Sequence, residues 1–294
     1  VQAFQELYNP ELLQSVKGLQ LLSKLIQEES AMGLSSSIRV GAGVEFSQFR
    51  SYEQGDDLRF LDWKMYGRSE RYYIRLSEIE SHLNTYIILD GSASMLYEEN
   101  KIKKYDYARI LAAALINISI DQGDKVGLML NQSPISFLNS KDGPKYKLQL
   151  MHQLVQKQAM GAWQNIEPDK FFSTGKKSLF VIISDLYNHH SEIIDFCKKI
   201  KTNRSEVLFF HLSGERERAF NFKSASALQD LETGTTIPFN RNKDAGKFSE
   251  VLLEQEAAMV EQLKHNRIAY AHCDLSQSPG QYIHNFLSSR HSLY

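Results

Sequence analysis

Two continuous apolar runs constrain this chain more than anything else in it: Tyr86-Ile87-Ile88-Leu89, stopping at Asp90, and Leu179-Phe180-Val181-Ile182-Ile183, stopping at Ser184-Asp185. Short runs without a polar face read as strands buried on both sides. Between them the rhythm changes to helical. Tyr105 to Gln122 is apolar around most of its circumference, through Ile110, Leu111, Ala112, Ala113, Leu115, Ile116 and Ile118. Such a helix is expected inside a domain, pressed against a sheet. Gly123 follows where a helix C-terminal glycine belongs.

The remaining pattern repeats the alternation. Val126 to Leu130 reads as a strand, and Ile135 to Leu138 as its hairpin partner across Gln132-Ser133-Pro134. Lys147 to Gln158 reads as a helix, Ser191 to Lys201 as another, and Val207 to His211 as a strand. Ser213 to Asn242 has weak period. Helix Gly246 to His265, strand Ile268 to His272 and helix Gln281 to Ser289 complete the chain. Alternating strands and helices predict an α/β, three-layer domain over residues 83–294, with a mostly parallel sheet and one antiparallel edge strand from the hairpin. Residues 1–82 form a separate preceding segment. Leu12, Val16, Leu19, Leu22 and Ile26 mark a helix from Pro10 to Glu29, and the glycine-bearing stretch from Ser35 to Glu80 reads as turns and short strands.

Bulk properties narrow the function. Across 294 residues, 34 basic and 35 acidic side chains leave a formal net charge of -1. That balance gives no electrostatic reason to expect nucleic acid or an anionic membrane as partner. No apolar run approaches the ~20 residues needed to span a bilayer. Cys197 and Cys273 stand alone, without CxxC spacing. A reducing compartment, and a cytoplasmic location with no signal peptide, are the expectation.

The carboxylates at the strand ends are the candidate site. In open α/β sheets ligands gather beyond the carboxyl ends of strands, where strand order reverses. Asp90 is followed by hydroxyls at Ser92 and Ser94, and Asp185 ends the second apolar strand. Hard oxygen donors in a compact loop suit Mg²⁺, and such a loop leaves a coordination position open. The structural alternative is that Asp90 and the serines cap the following helix.

Leu89-Asp90-Gly91-Ser92-Ala93-Ser94-Met95 resembles the metal-ion-dependent adhesion site of von Willebrand factor A domains, which have a Rossmann-type sheet. Lys125-Val126-Gly127-Leu128 and Ile182-Ile183-Ser184-Asp185-Leu186 resemble that family's next strands. Upstream, Gly43-Val44-Glu45-Phe46, Arg50-Ser51-Tyr52, Gly55-Asp56-Asp57-Leu58-Arg59 and Leu61-Asp62-Trp63-Lys64 resemble the bacterial domain of unknown function fifty-eight family, in which this signature precedes an adhesion-type domain. The resemblance implies a non-enzymatic protein-interaction module, often working with a MoxR-type AAA+ ATPase in chaperone-like assembly or maturation. It implies that Asp90, Ser92, Ser94 and Asp185 surround a divalent metal, Mg²⁺ or else Mn²⁺ or Ca²⁺. A partner's carboxylate would then complete the shell. Adhesion-type sites usually add a threonine. Here the matching loop reads Met160-Gly161-Ala162-Trp163-Gln164-Asn165, with Trp163 at that place and Asn165 as the nearest oxygen donor. Trp163 and Asn165, with Asp90 and Asp185, are thus the expected partner-binding residues.

Other features have plainer readings. Glu45, Arg50, Asp56, Asp57, Arg59, Asp62 and Lys64 read as an ion-pair network pinning the amino-terminal segment, and Trp63 as a packing anchor. His189-His190 reads as a solvated helix start, and His82, His211, His265 and His272 as structural. Two other functions stay open. A metal-dependent phosphoryl-transfer hydrolase could use Asp90 as nucleophile, although position 92 is Ser and no glycine-rich phosphate cradle is present. A serine hydrolase is weaker, since Gly91-Ser92-Ala93-Ser94 lacks the second glycine of a nucleophile elbow. A scaffold whose metal site has decayed is the second.

Overall fold

The computed structural model describes residues 4, 8–31, 46–52, 61, 63–77, 83–172, 177–187, 190–222 and 227–291. These form two compact units, residues 1–35 with 83–294, and residues 36–82. In chain order, helix α1 spans Val16–Ala31. The smaller unit carries strand β1 (Phe46–Ser51), helix α2 (Trp63–Ser69) and strand β2 (Tyr73–Ser77), with β1 antiparallel to β2. Short strands were expected there, and the helix was not. Of the charged signature in this unit, Glu45, Asp56, Asp57, Arg59 and Asp62 lie outside the described residues. Trp63 is 66% exposed, against its expected packing role, because it stands at the start of a helix with no buried residue. It meets the edge of Tyr66 at 6.3 Å.

The larger unit is built on a six-stranded sheet in the order β12-β9-β8-β3-β6-β7. Its strands are β3 (Asn84–Asp90), β6 (Lys125–Asn131), β7 (Ser136–Lys141), β8 (Ser178–Ser184), β9 (Ser205–Ser213) and β12 (Ala269–Asp274). β7 is antiparallel to β6, and every other neighbouring pair is parallel. Two short ribbons sit outside this sheet: β4 (Glu98–Glu99) with β5 (Ile102–Lys103), and β10 (Ala227–Gln229) with β11 (Thr236–Pro238). The helices are α3 (Lys104–Asp121), α4 (Pro144–Gln156), α5 (His190–Ile200), α6 (Glu215–Arg218), α7 (Arg241–His265) and α8 (Pro279–His291). The strands and their order of type follow the sequence reading, and the mostly parallel α/β sheet with its antiparallel edge is as expected.

Alternation along the buried strands divides the interior into two cores. Ile87, Leu89, Val181 and Ile183 face one, and Tyr86, Ile88, Phe180 and Ile182 the other. Helices α1, α3, α4 and α8 cover the first, while α5 and α7 cover the second. Each fully buried Leu or Ile contributes about 1.5–3 kcal/mol. The all-round apolarity of α3 has a specific cause. One flank lies on the sheet and the other is overlaid by α1, whose Leu19, Leu22 and Ile26 are buried there. The small side chains of Ala112, Ala113 and Ala114 are fully buried in that core. Asn117 Nδ2 donates to Ser23 Oγ at 2.9 Å, satisfying a polar pair in the interior. The amino-terminal helix, grouped on sequence with residues 1–82, therefore sits with the larger unit, because its apolar stripe is completed by α3. Gly123 ends α3 at φ 82°, a conformation that favours glycine.

The strand order fixes where a ligand belongs. From β3 the chain passes to β6 on one side, and from β8 it passes to β9 on the other. β3 and β8 are neighbours, so the reversal lies between them, beyond Asp90 and Ser184-Asp185.

Candidate functional site at the sheet's switch point

Each side chain of the predicted set is placed by the strand end that carries it. Asp90, the last residue of β3, accepts the Ser184 hydroxyl on Oδ2 at 2.5 Å and the Ser92 backbone N–H on Oδ1 at 2.9 Å. The second contact is a local turn made by the Asp side chain itself. It directs Ser92 and Ser94 back towards the sheet, with their Oγ atoms 2.9 Å apart. Ser94 Oγ then donates to Asp185 Oδ1 at 3.1 Å. A carboxylate only accepts, so Ser94 gives its proton to Asp185, while the Ser92 hydroxyl is within reach of both Ser94 and Asp90. The structure brings together all four predicted side chains, Asp90, Ser92, Ser94 and Asp185.

Leu186, directly after Asp185, has φ 57°. A left-handed leucine is strained, and such strain gathers at functional loops. Ser184 Oγ, which accepts its backbone N–H at 3.0 Å, helps to hold it. Gly91 is closely approached: a Cβ there would lie 2.8 Å from Gln132 Oε1 and 3.0 Å from Gln132 Cβ, so Gln132 would have to shift.

One member of the cluster was not foreseen. Lys104 Nζ donates to Asp185 Oδ2 at 2.9 Å and to Glu217 Oε1 at 2.7 Å, and the lysine is 1% exposed. Nζ also stands 5.0 Å above the Tyr97 ring. Burial alone pushes the Lys104 pKa down, but the charges of Asp185 and Glu217 outweigh it and hold the ammonium above its ordinary range. In sequence Lys104 closes the run Lys101-Ile102-Lys103-Lys104, which looks solvated. Its one local signal is position: it opens the buried helix α3, where a cation opposes the helix dipole and needs a partner elsewhere.

Two expectations about this edge are corrected. The open coordination position is covered: Asp90, Ser92, Ser94 and Asp185 are all buried, and Lys104 with Glu217 lies against Asp185. Trp163 is not a rim residue. It is 4% exposed in the second core, edge-on to Phe196 at 6.0 Å, because the apolar indole is worth more there than on a polar loop. Asn165 is exposed. The loop itself does sit beside the site. Met160 N–H donates to Gly91 O at 2.7 Å, Ala93 N–H to Gly161 O at 2.8 Å, and Asn131 clamps Gln164 through two hydrogen bonds.

Around the covered cluster, the segments that build it present large apolar side chains to solvent: Leu96 at 42% exposure, Met160 at 53% and Tyr187 at 43%. Next to Asp185 lies a cavity of about 280 Å³ whose walls include Leu186, Tyr187, Phe220, Leu252 and Met259. His211 lines it. Its Nδ1 lies 2.8 Å from Tyr270 OH, which donates to Glu256 Oε1 at 3.1 Å. Since the Tyr270 proton goes to Glu256, the contact with Tyr270 is made with the His211 proton on Nδ1. Burial, with His272 next in effect, lowers the His211 pKa to about 4.

The donors fit a divalent cation in part. Octahedral Mg²⁺ at 2.0–2.1 Å spaces adjacent oxygens about 2.9 Å apart, and the Ser92–Ser94 and Ser94–Asp185 separations are 2.9 and 3.1 Å. The single ammonium pairs with Asp185 and Glu217, while Asp90 is held by the Ser184 hydroxyl and the Ser92 N–H. The 160–165 loop adds no hydroxyl side chain, and its Gly161 carbonyl is taken by Ala93. Among the described residues no group of three or more His, Cys, Asp or Glu could hold a metal, so a cation at this edge would rely on the serines.

Fold and site together define an α/β domain with a buried carboxylate–hydroxyl–lysine cluster at its switch point. Residues 48–256 match the family described as protein of unknown function DUF58, and the chain belongs to that family. Uncharacterized proteins of Mycobacterium bovis and Mycobacterium tuberculosis are 23% identical over 242 residues, covering 79% of this chain and 74% of theirs. Among solved structures it is similar to the conserved hypothetical protein BatB from Bacteroides thetaiotaomicron, at 16% identity over 71% of this chain and 99% of that one, with TM-score 0.49. It is also similar to an aerotolerance-related membrane protein from Bacteroides fragilis, at 19% identity, 70% and 99% coverage and TM-score 0.45. Among the described residues no helix is long and apolar enough to cross a membrane.

Proposed function

We propose that this chain is a non-enzymatic protein-interaction module of the von Willebrand factor A-like type, docking a partner at the carboxyl edge of its sheet. The observation that carries the reading is the meeting of Asp90 and Asp185 at the switch point through Ser92 and Ser94. Leu96, Met160 and Tyr187 supply the apolar anchors that such interfaces need. Ser92, Ser94, Asp90 and Asp185 would hold a divalent cation, Mg²⁺ or Mn²⁺, which when bound would brace the loops that carry those anchors from beneath, the site itself being covered. A binding role is favoured over hydrolysis because the Ser92 and Ser94 hydroxyls are engaged with each other and with Asp185, not with an imidazole base. Lys104 is committed to two carboxylates and is not available as a phosphate clamp. The partner class proposed is a MoxR-type AAA+ ATPase, as the family resemblance implies, in assembly or maturation of other proteins. The setting proposed is the cytoplasm.

The test is biolayer interferometry against the MoxR-type ATPase of the same genome. Binding in Mg²⁺ that is lost in EDTA, and lost with Met160→Asp, is the expected result. Binding indifferent to both changes, or a phosphatase or esterase activity abolished by Asp90→Ala, would overturn the reading.

A further inference from the structure

We propose that Lys104 is a tethered counter-ion that keeps the strand-end cluster assembled without a divalent cation, so that metal adds to a site already built. The inference rests on reading this cluster as the working site, able to take a divalent cation, and not on the partner.

Three segments converge on this one residue. Its backbone N–H donates to Tyr97 O at 3.0 Å, tying it to the loop after β3. Its ammonium reaches Asp185 in the loop after β8, and Glu217 in α6 after β9. Those segments come from three neighbouring strands of the sheet. A structural metal does the same work by gathering side chains from separate loops, but a metal can leave. A lysine cannot, and this one heads a helix wedged between the sheet and α1.

The division of Asp185 between two tasks makes both occupants compatible. Oδ2 faces Lys104, while Oδ1 faces Ser94 and the Tyr187 N–H. The donors spaced for a cation, Ser92, Ser94 and Asp185 Oδ1, are therefore on the side away from the ammonium contact. Glu217 binds Lys104 through Oε1 and accepts the Gly214 N–H on Oε2 at 3.3 Å, so α6 is part of the same assembly. A lysine opening a helix is locally unfavourable. Full burial raises that cost unless the ammonium is paired, and both of its carboxylates are within 2.9 Å.

The experiment is thermal melting of the full chain in EDTA and in millimolar MnCl₂, for wild type, Lys104→Met and Glu217→Gln. Wild type is expected to melt cooperatively in EDTA, with only the small rise in Mn²⁺ that ligand binding brings. Lys104→Met keeps an unbranched apolar stem one atom shorter than lysine's and removes the charge. Its midpoint in EDTA should fall by roughly 6–10 °C, and Mn²⁺ should restore more than it adds to wild type. If Lys104→Met is soluble only when prepared with Mn²⁺, the proposal also stands. Glu217→Gln alters a half-buried partner and is expected to fold, with a midpoint lowered by roughly 2–4 °C in EDTA. Loss of the wild-type transition on chelation would overturn the proposal, as would equal Mn²⁺ increments in wild type and Lys104→Met. So would an unchanged midpoint in Glu217→Gln if Lys104→Met cannot be obtained under either condition. None of these readings involves a partner, so failure of the ATPase-binding assay leaves them intact.

Discussion

Ser184 hands its hydroxyl proton to Asp90 across two parallel strands, at 2.5 Å, and with its oxygen takes the backbone N–H of the strained Leu186. One small side chain thus satisfies a buried carboxylate and a left-handed turn at once. Ser184→Ala should lower unfolding free energy by about 2–3 kcal/mol, the range for losing a buried hydrogen bond to a charged group. Urea denaturation checks this. A change below half a kcal/mol would show that water replaces the hydroxyl.

His211 makes stability pH-dependent. Its ring faces His272 and Tyr270 of β12 and Glu256 of α7, with Lys104 and Asp185 contributing charge from farther off. Burial lowers its pKa from 6.5 to about 4. Below pH 6.5 the unfolded chain takes a proton that the folded one refuses, so stability present above that pH is lost as pH falls towards 4. The full loss is about 3 kcal/mol at 1.36 kcal/mol per unit. Asp90, which burial raises from 3.8 to about 6, acts in the opposite sense over the same window. The check is therefore the difference: urea midpoints should fall more steeply with pH in wild type than in His211→Gln.

Trp163 and Asn165 separate core from surface within one loop. Trp163→Ala should cost about 3–5 kcal/mol, as expected for an indole removed from a packed interior. Asn165→Ala, at an exposed position, should stay within about 0.5 kcal/mol. Equal effects in chemical denaturation would contradict the placement of the indole.

Gly18 poses two rules against each other. It lies inside α1, where alanine is favoured by about 1 kcal/mol on helix propensity. A Cβ there, however, would stand 2.1 Å from Leu12 O and 2.7 Å from Leu12 C, both backbone atoms that cannot swing aside. The clash should win, and Gly18→Ala should lower the melting temperature instead of raising it.

The sheet, its edge hairpin and the meeting of Asp90 with Asp185 were legible because each depends on a local pattern: an apolar run, a turn, an acid at its end. What was not legible depends on which way a side chain faces after the chain has closed. The two tryptophans exchanged roles. Trp63, read as an anchor, is exposed, while Trp163, read as a contact for partners, is interior. Nothing in their neighbours distinguishes them. Lys104 was hidden for a similar reason: its partners are 81 and 113 residues away in sequence. Burial of the four predicted side chains likewise depends on distant segments, Lys104 with Glu217 at Asp185 and the 160–161 loop bonded to Gly91 and Ala93.

Helix α3 has no face of its own on the solvent, and the residue at its head reaches the sheet's working edge. The amino-terminal segment that completes its enclosure also holds that head directly: Tyr8 OH donates to Asp106, Phe4 packs edge-on against Tyr107 at 5.6 Å, and Leu13 O accepts from Arg109. Contacts made from 96 and 98 positions earlier in the chain thereby brace the turn from which Lys104 reaches Asp185.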